Sequence, residues 1–306
     1  HMFDIIIPVF KTPMHLLKKC LDSVAKQTFK DYKIWVCDGT PNEWKRYDEM
    51  LEVFNSYENL EYVRQSGKGV SQARNQIIKM GSNPYVAFLD SDDSWDIEYL
   101  ETMKRAIEKP LHDTTAIWFS EIKSFTSHYE LFDLATVGIQ GEVGLVVERE
   151  KLLQSYQTLN FIPPKYHLHF HHTSPLWFTG AIFKREALES TKLFDESLTL
   201  AEDTVLLLDV LNNGYSSCHV PFLGAFRHSH DGQLSVIHEG NNEHIKSVEK
   251  YDYRLQELID DEDLREDVKN NILAHWMCGK NRGVSIFGCV TKYYLIDKEC
   301  YEIETL

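Results

Sequence analysis

The chain has 306 residues, is 43% hydrophobic, and carries 47 acidic against 32 basic side chains, a formal charge of −15. Such acidity excludes a general nucleic-acid binder, whose affinity comes largely from neutralising phosphates, but leaves room for one small basic pocket. No run reaches the ~18 apolar residues that a membrane-spanning helix needs, so any membrane association is expected to be peripheral.

The six cysteines (Cys20, Cys37, Cys218, Cys278, Cys289, Cys300) are scattered without a Cys-x-x-Cys pair, which argues against a zinc ribbon or a redox motif. Several lie in apolar runs and read as buried free thiols, as expected in a reducing, cytoplasmic compartment.

Phe3–Val9 is a continuous apolar run, the pattern of a strand buried on both faces rather than of a signal peptide. Thr12-Pro13 then gives a helix start, with an N-cap hydroxyl ahead of proline. Leu16, Leu17, Cys20, Leu21, Val24 and Ala25 share one helical face. A second strand, Tyr32–Cys37, stops at Asp38-Gly39-Thr40-Pro41. A helix near Trp44–Tyr57 and a strand Leu60–Arg64 follow. After the turn at Gly67–Gly69 a helix runs to Met80, with Gly81 as its stop. A fourth strand, Tyr85–Leu89, ends in Asp90-Ser91-Asp92-Asp93. Residues 111–179 are less regular. Beyond them come a strand Phe178–Phe183, a helix opened by Glu202-Asp203 and stopped at Asn213-Gly214, and strands Tyr215–Val220 and Phe222–Phe226. Residues 240–306 read as a helical extension.

Strand and helix alternate here at the spacing of a parallel sheet. Such sheets bind ligands at the carboxyl ends of their strands, so Asp38 and the Asp90–Asp93 cluster should share one crevice. On an extended backbone Asp90 and Asp92 would point the same way. Clustered carboxylates repel one another and suit a hard cation, Mg²⁺ or Mn²⁺, that in turn bridges a diphosphate. The plainer reading is an acidic loop that caps the next helix. Asp38 is placed to accept hydrogen bonds from a nucleobase or ribose, or else forms an Asx turn. Arg74 and Lys68, beside the third strand, could meet a base or phosphate, or be ordinary surface charges.

Glu202-Asp203 opens a helix whose N-terminus favours a carboxylate anion. An ionised carboxylate there could take a proton from an attacking hydroxyl, or simply cap the helix. His230, in Arg227-His228-Ser229-His230-Asp231, is a candidate for the metal or the diphosphate. His167, His169 and His171 would share a strand face and read as lining residues more readily than as a metal site. Trp177 and Phe178 either stack on an acceptor sugar or pack in the core.

These pieces occur in a recognisable order. Ile5-Ile6-Ile7-Pro8-Val9-Phe10, Cys20-Leu21-Asp22-Ser23-Val24 with Gln27-Thr28-Phe29, Asp38-Gly39-Thr40, Ala73-Arg74-Asn75 and Phe88-Leu89-Asp90-Ser91-Asp92-Asp93 resemble glycosyltransferase family 2. Phe194-Asp195-Glu196, Glu202-Asp203 and the segment from Arg227 through His230 to Ser235 resemble its second half. The resemblance covers about residues 3–235, and its first hundred residues are the most specific.

It implies a GT-A fold over residues 3–239, with a nucleotide-binding half (3–110) and an acceptor and catalytic half (111–239). It also implies a nucleotide-sugar donor, a UDP-sugar by preference, a carbohydrate or glycoconjugate acceptor, a Mn²⁺ or Mg²⁺ ion, and inversion at the anomeric carbon. Pro8, Val9, Asp38, Lys68, Arg74 and Asp90 become expected nucleotide contacts, Asp92 and His230 metal contacts, and Asp203 the general base. Trp177, Glu202 and Arg227 become acceptor or diphosphate contacts. There are departures from the pattern. Cys37 stands where many relatives have a second aspartate, and the histidine lies three residues after Arg227 where two is common. The Gln-x-x-Arg-Trp signature of processive synthases is missing, which points to transfer of a single sugar. Two rivals share the fold. A nucleotidyltransferase would need a Gly-rich loop that Pro8-Val9-Phe10-Lys11 does not supply, and a non-catalytic binding protein would have no need of the intact carboxylates.

Overall fold

The computed structural model describes residues 1–110, 113–125, 130–134, 161–162, 178–199, 202–228 and 230. Much of the less regular stretch 111–179, with the histidines 167–171 and Trp177, and the extension 240–306 lie outside them.

Strands β1 (Phe3–Val9), β2 (Tyr32–Asp38), β3 (Leu60–Arg64) and β4 (Tyr85–Phe88) alternate with helices α1 (Met14–Ala25), α2 (Tyr47–Asn55) and α3 (Val70–Met80). They pair in parallel in the order β3-β2-β1-β4. The sheet continues through β9 (Ala181–Lys184), β6 (Thr115–Phe125), β10 (Ser216–His228) and β5 (Ser94–Trp95), with β7 (Glu130–Leu134) on β6 and β8 (Phe161–Ile162) on β10. β9 is antiparallel to both its neighbours, and β6 and β10 are parallel, so the sheet is mixed.

Each apolar strand serves two cores because its side chains alternate between faces. Ile5, Ile7 and Val9 of β1, with Ile34 and Val36 of β2, pack on Leu17 and Leu21 of α1, Met50 of α2, and Tyr99 and Met103 of α4 (Tyr99–Glu108). Ile6, Trp35 and Cys37 face the other way, toward Ala73 and Ile77 of α3 and Leu206 and Val210 of α6 (Glu202–Asn212). The short α5 (Arg185–Glu189) joins this second face through Ala187 and Leu188. The result is a three-layer helix–sheet–helix domain, the expected Rossmann-like GT-A architecture.

Several local expectations are corrected. Thr12 does not cap α1: its hydroxyl lies 2.6 Å from Ser91 Oγ, and the helix starts at Met14 without a side-chain cap. Gly81 does end α3, as expected, in an extended conformation with φ −74°. Glycine is required there because a Cβ would collide with the carboxylate of Asp4. That carboxylate is buried with Arg185 in an ion pair of 2.6 Å and accepts hydrogen bonds from Trp35 and Asn83. Phe178 lies in a 3₁₀ turn, Phe178–Gly180, ahead of β9, and its ring is in the core among Phe88, Phe183 and Phe194. The two strands expected at 215–226 are one, bent by register shifts between Val220 and Ala225 where Pro221 lacks a backbone donor.

Candidate active site

The parallel strands bring Asp38, at the end of β2, and the Asp90–Asp93 segment, after β4, to the same sheet edge, as the alternating pattern predicts. Pro8 and Val9 end the strand between them. Val9 is buried, and its carbonyl accepts from the amide of Gly39.

The acidic segment is not extended. The amide of Asp93 donates to the carbonyl of Asp90 at 2.9 Å and closes a turn. Asp90 and Asp92 take different partners, Arg74 for the first and His230 for the second. Nor does the segment cap a helix, since Ser94-Trp95 forms β5 and α4 begins only at Tyr99. β5 pairs with β10 through Ala225↔Trp95 and Phe226↔Ser94. That short ladder delivers the Arg227–His230 segment to the acidic turn.

Two contacts follow from it. His230 Nε2 lies 3.0 Å from Asp92 Oδ2, across 138 residues of chain, and both side chains stay partly exposed. Asp93 is buried and accepts from the amide of His228 at 3.1 Å. Burial, with the charges of Asp92 and Asp90 beside it, pushes the Asp93 carboxyl well above the usual range, opposed by Arg227 and the His228 amide. His228 points elsewhere. Its Nε2 lies 3.1 Å from Ser94 Oγ, and burial with nearby Lys19 and His15 lowers its pKa to about 4, so it is neutral at physiological pH. Of the two histidines, His230 is the one that meets the carboxylate cluster, despite the extra residue after Arg227.

Arg74 is buried, with its guanidinium between two carboxylates. Nη2 donates to Asp90 Oδ1 at 2.8 Å and Nη1 to Glu202 Oε1 at 2.9 Å, and the group lies 5.2 Å from the ring centre of Phe194. Burial alone would lower its pKa, but the charges of Asp90, Glu202 and Asp203 raise it. Arg74 thus ties α3, the acidic turn and the N-terminus of α6 together. Asn75 adds a second tie, exchanging hydrogen bonds of 2.9 Å with the backbone of Phe194. The Ala73-Arg74-Asn75 and Phe194-Asp195-Glu196 motifs meet through it.

Glu202 and Asp203 are separated by this arrangement. Glu202 is buried, and burial together with Asp203 raises its carboxyl to about 7 even though Arg74 pulls it down. Asp203, one residue further into the first turn of α6, is half-buried. Lys68 is exposed in the turn before Gly69, whose φ of +85° starts α3, and Arg227 is half-buried. Cys37 packs in the core, where burial and then Asp38 push its thiol up to about 12.

Sequence reasoning missed Arg64. Asp38 is fully buried: its Oδ1 accepts from the amide of Thr40 at 2.8 Å, and its Oδ2 from Tyr62 Oη at 3.1 Å and Arg64 Nη1 at 2.8 Å. Arg64 ends β3 directly opposite Asp38 in the ladder, and that register was the available signal. A cavity of about 460 Å³ is lined by Asn75, Lys79, Lys192 and Asp209 among others. Among the described residues no three His, Cys, Asp or Glu side chains form a ready metal cluster, and no helix is long and apolar enough to cross a membrane.

The profile of glycosyl transferase family 2 matches residues 4–191, more than half of the chain. The chain belongs to that family. Among curated family relatives, a region of 101 residues is 34% identical to the Escherichia coli UDP-Glc:alpha-D-GlcNAc-diphosphoundecaprenol beta-1,3-glucosyltransferase WfgD, covering 33% of this chain and 39% of that protein. Over 105 residues it is 35% identical to the Streptococcus pneumoniae glycosyltransferase GlyA, covering 34% of this chain and 14% of that protein. A longer match, 28% over 211 residues, joins it to the Rhizobium meliloti succinoglycan biosynthesis protein ExoW, covering 66% of this chain and 63% of that protein. In architecture it is similar to Staphylococcus aureus TarS 1-349 in complex with UDP-GlcNAc, with a TM-score of 0.60 at 19% identity over 91% of this chain and 72% of that one.

Proposed function

We propose that the chain is an inverting glycosyltransferase that moves one sugar from a UDP-hexose or UDP-N-acetylhexosamine to a hydroxyl of a glycan or other glycoconjugate acceptor. Its family membership supports the reaction class, and the names of its relatives support a uridine donor. The observation that carries the reading is the meeting of Asp92 with His230 at the carboxyl edge of the sheet, 3.0 Å apart and partly exposed.

That pair fits a divalent ion. A carboxylate oxygen and an imidazole nitrogen suit Mn²⁺, and a two-residue set leaves coordination positions for diphosphate oxygens. When bound, the ion neutralises charge on the departing diphosphate. The remaining chemistry is the protein's own. Lys68 and Arg227 add positive charge near the diphosphate. Arg74 holds Asp90 in place toward the donor. Asp203 accepts the proton of the acceptor hydroxyl as that oxygen bonds to the anomeric carbon. The bond from that carbon to the diphosphate oxygen breaks on the opposite face, releasing UDP and inverting the centre. Glu202, held by Arg74, is a positioning residue for Asp203 in this scheme. Trp177 remains an acceptor-lining candidate outside the described residues. Buried free thiols at Cys20, Cys37 and Cys218 support a cytoplasmic setting.

The test is UDP release from a panel of nucleotide sugars with Mn²⁺, and with EDTA in its place. Metal-dependent UDP release from a UDP-sugar is the expected result. Pyrophosphate formation from UTP and a sugar phosphate, or no turnover of any donor, would defeat the reading.

A further inference from the structure

The backbone bond from Asp93 to Asp90 makes Ser91 and Asp92 the two central residues of the acidic turn. The Ser91 hydroxyl lies 2.6 Å from that of Thr12, and both residues are buried. Thr12 sits in the loop between β1 and α1, next to Lys11. The φ of Lys11 is +51°, a left-handed conformation that is costly for a residue with a Cβ. Such a conformation persists where its surroundings over-determine it. Here the Lys11 amide donates to Thr40 Oγ1 at 2.9 Å, and the Thr40 amide donates to Asp38 Oδ1 at 2.8 Å. Thr40 has no exposed surface. A continuous line of contacts therefore runs from Asp38 through Thr40, Lys11 and Thr12 to the centre of the acidic turn, 79 residues from Thr12 in the chain. Helix α1 backs the same segment: Cys20 Sγ donates to the Asp90 carbonyl at 3.5 Å, and Ser23 Oγ accepts from the Trp95 amide at 3.1 Å.

We infer that Thr12 is a positioning residue for the ion ligand Asp92: its hydroxyl, through Ser91, sets the acidic turn against the loop that leads to Asp38. This rests on the proposed ion site at Asp92 and His230. The two central residues of a β-turn share one short piece of backbone with defined dihedrals. A bond that fixes Ser91 therefore fixes the direction in which Asp92 leaves the turn. Asp92 reaches His230, while its neighbour is held by Thr12. An ion site needs its ligands held to about 0.5 Å by groups that are themselves locked by packing and hydrogen bonds. The buried hydroxyl pair is such a group. Thr12 also forgoes the role its sequence position suggests. With its hydroxyl on Ser91, α1 begins without a side-chain cap, so stability of the helix end is given up for a contact to the turn.

The experiment is calorimetric titration of UDP at a series of Mn²⁺ concentrations and in EDTA, with urea denaturation of each protein alongside. The proteins are wild type, Thr12→Val, Thr12→Ser, the double variant Thr12→Val with Ser91→Ala, and Asp92→Asn. Thr12→Val keeps the shape and removes the hydroxyl. Its UDP affinity in EDTA should match wild type, while the Mn²⁺ concentration that gives half of the metal-dependent gain rises roughly 10-fold, the upper range for one neutral hydrogen bond. Thr12→Ser retains the hydroxyl and should restore the wild-type Mn²⁺ requirement. The double variant leaves no buried hydroxyl unpaired, so its stability should recover, yet its Mn²⁺ requirement stays raised. That variant also carries the test should Thr12→Val fail to fold. A normal Mn²⁺ requirement in folded Thr12→Val, or one that returns to normal in the double variant along with stability, overturns the inference. If Asp92→Asn loses the metal-dependent gain while Thr12→Val keeps it, the ion site stands and the inference alone fails. Equal affinity of wild type in Mn²⁺ and EDTA removes the ion site, and the inference falls with it.

Discussion

Glu202 offers a measurable consequence of the way Arg74 is buried. Its carboxyl is raised from 4.5 to about 7 by burial and by Asp203, against the pull of Arg74. Between those values the native protein keeps a proton that the unfolded chain has released. The stability linked to Glu202 is therefore fully present below about pH 4.5 and is lost as pH rises through about 7. A shift of that size corresponds to about 3 kcal/mol, since each unit is worth roughly 1.4 kcal/mol. Glu202→Gln keeps an oxygen to accept from Arg74 Nη1 and cannot ionise. Urea denaturation of both proteins from pH 4.5 to 8 reads the difference directly. Wild type should lose about 3 kcal/mol relative to the glutamine variant across that window. Parallel pH profiles would show that Glu202 is ionised throughout, with Arg74 outweighing burial, and would refute the reasoning.

Other outcomes follow from the site and its scaffold. UDP should bind more tightly with Mn²⁺ than with EDTA, and Asp92→Asn or His230→Ala should remove most of that gain; equal calorimetric affinities in the two buffers would exclude the Asp92–His230 ion site. Asp203→Asn should lower steady-state transfer by about 10²–10⁴ with UDP affinity little changed, whereas a helix cap alone predicts normal turnover because asparagine caps as well as aspartate. Arg185→Met strands the buried Asp4 carboxylate and should destabilise the fold by about 3–5 kcal/mol in denaturant titrations. Turnover per folded molecule should survive that change, because the pair lies at the opposite end of β1 from the site.

What could be read from the sequence was local or periodic. The unbroken apolar run of β1 announced a strand with two buried faces, and Ile5 and Ile6 do feed separate cores. Strand ends located Asp38 and the acidic turn because topology alone dictates which sheet edge they share. Alternation failed at Asp90–Asp93, where one amide-to-carbonyl bond closes a turn and each carboxylate takes a different partner. The Thr12 cap failed for a similar reason, since a buried hydroxyl on Ser91 competes for it. Contacts between distant segments were invisible: Arg185 finds Asp4 across 181 residues, and no periodicity encodes that. Arg64 was missed because a charged residue closing a half-buried strand looks like solvated surface until the β2–β3 register sets it against Asp38.

The acidic turn explains how one short segment serves several parts of the fold. Asp90 takes Arg74 and so fixes the turn to α3 and to the helix that carries Asp203. Asp92, two residues on, faces out to His230. Asp93 turns inward and holds the amide of His228, anchoring the end of β10 that delivers His230. An extended Asp-Ser-Asp-Asp would place alternate carboxylates side by side and could not reach all of these partners. The turn gives each carboxylate a different partner: the Arg74 guanidinium for Asp90, the His230 ring for Asp92 and the His228 amide for Asp93. Replacing the buried Asp93 should therefore disturb the Asp92–His230 approach, and Asp93→Asn is expected to reduce the Mn²⁺-dependent gain in UDP affinity measured by calorimetry.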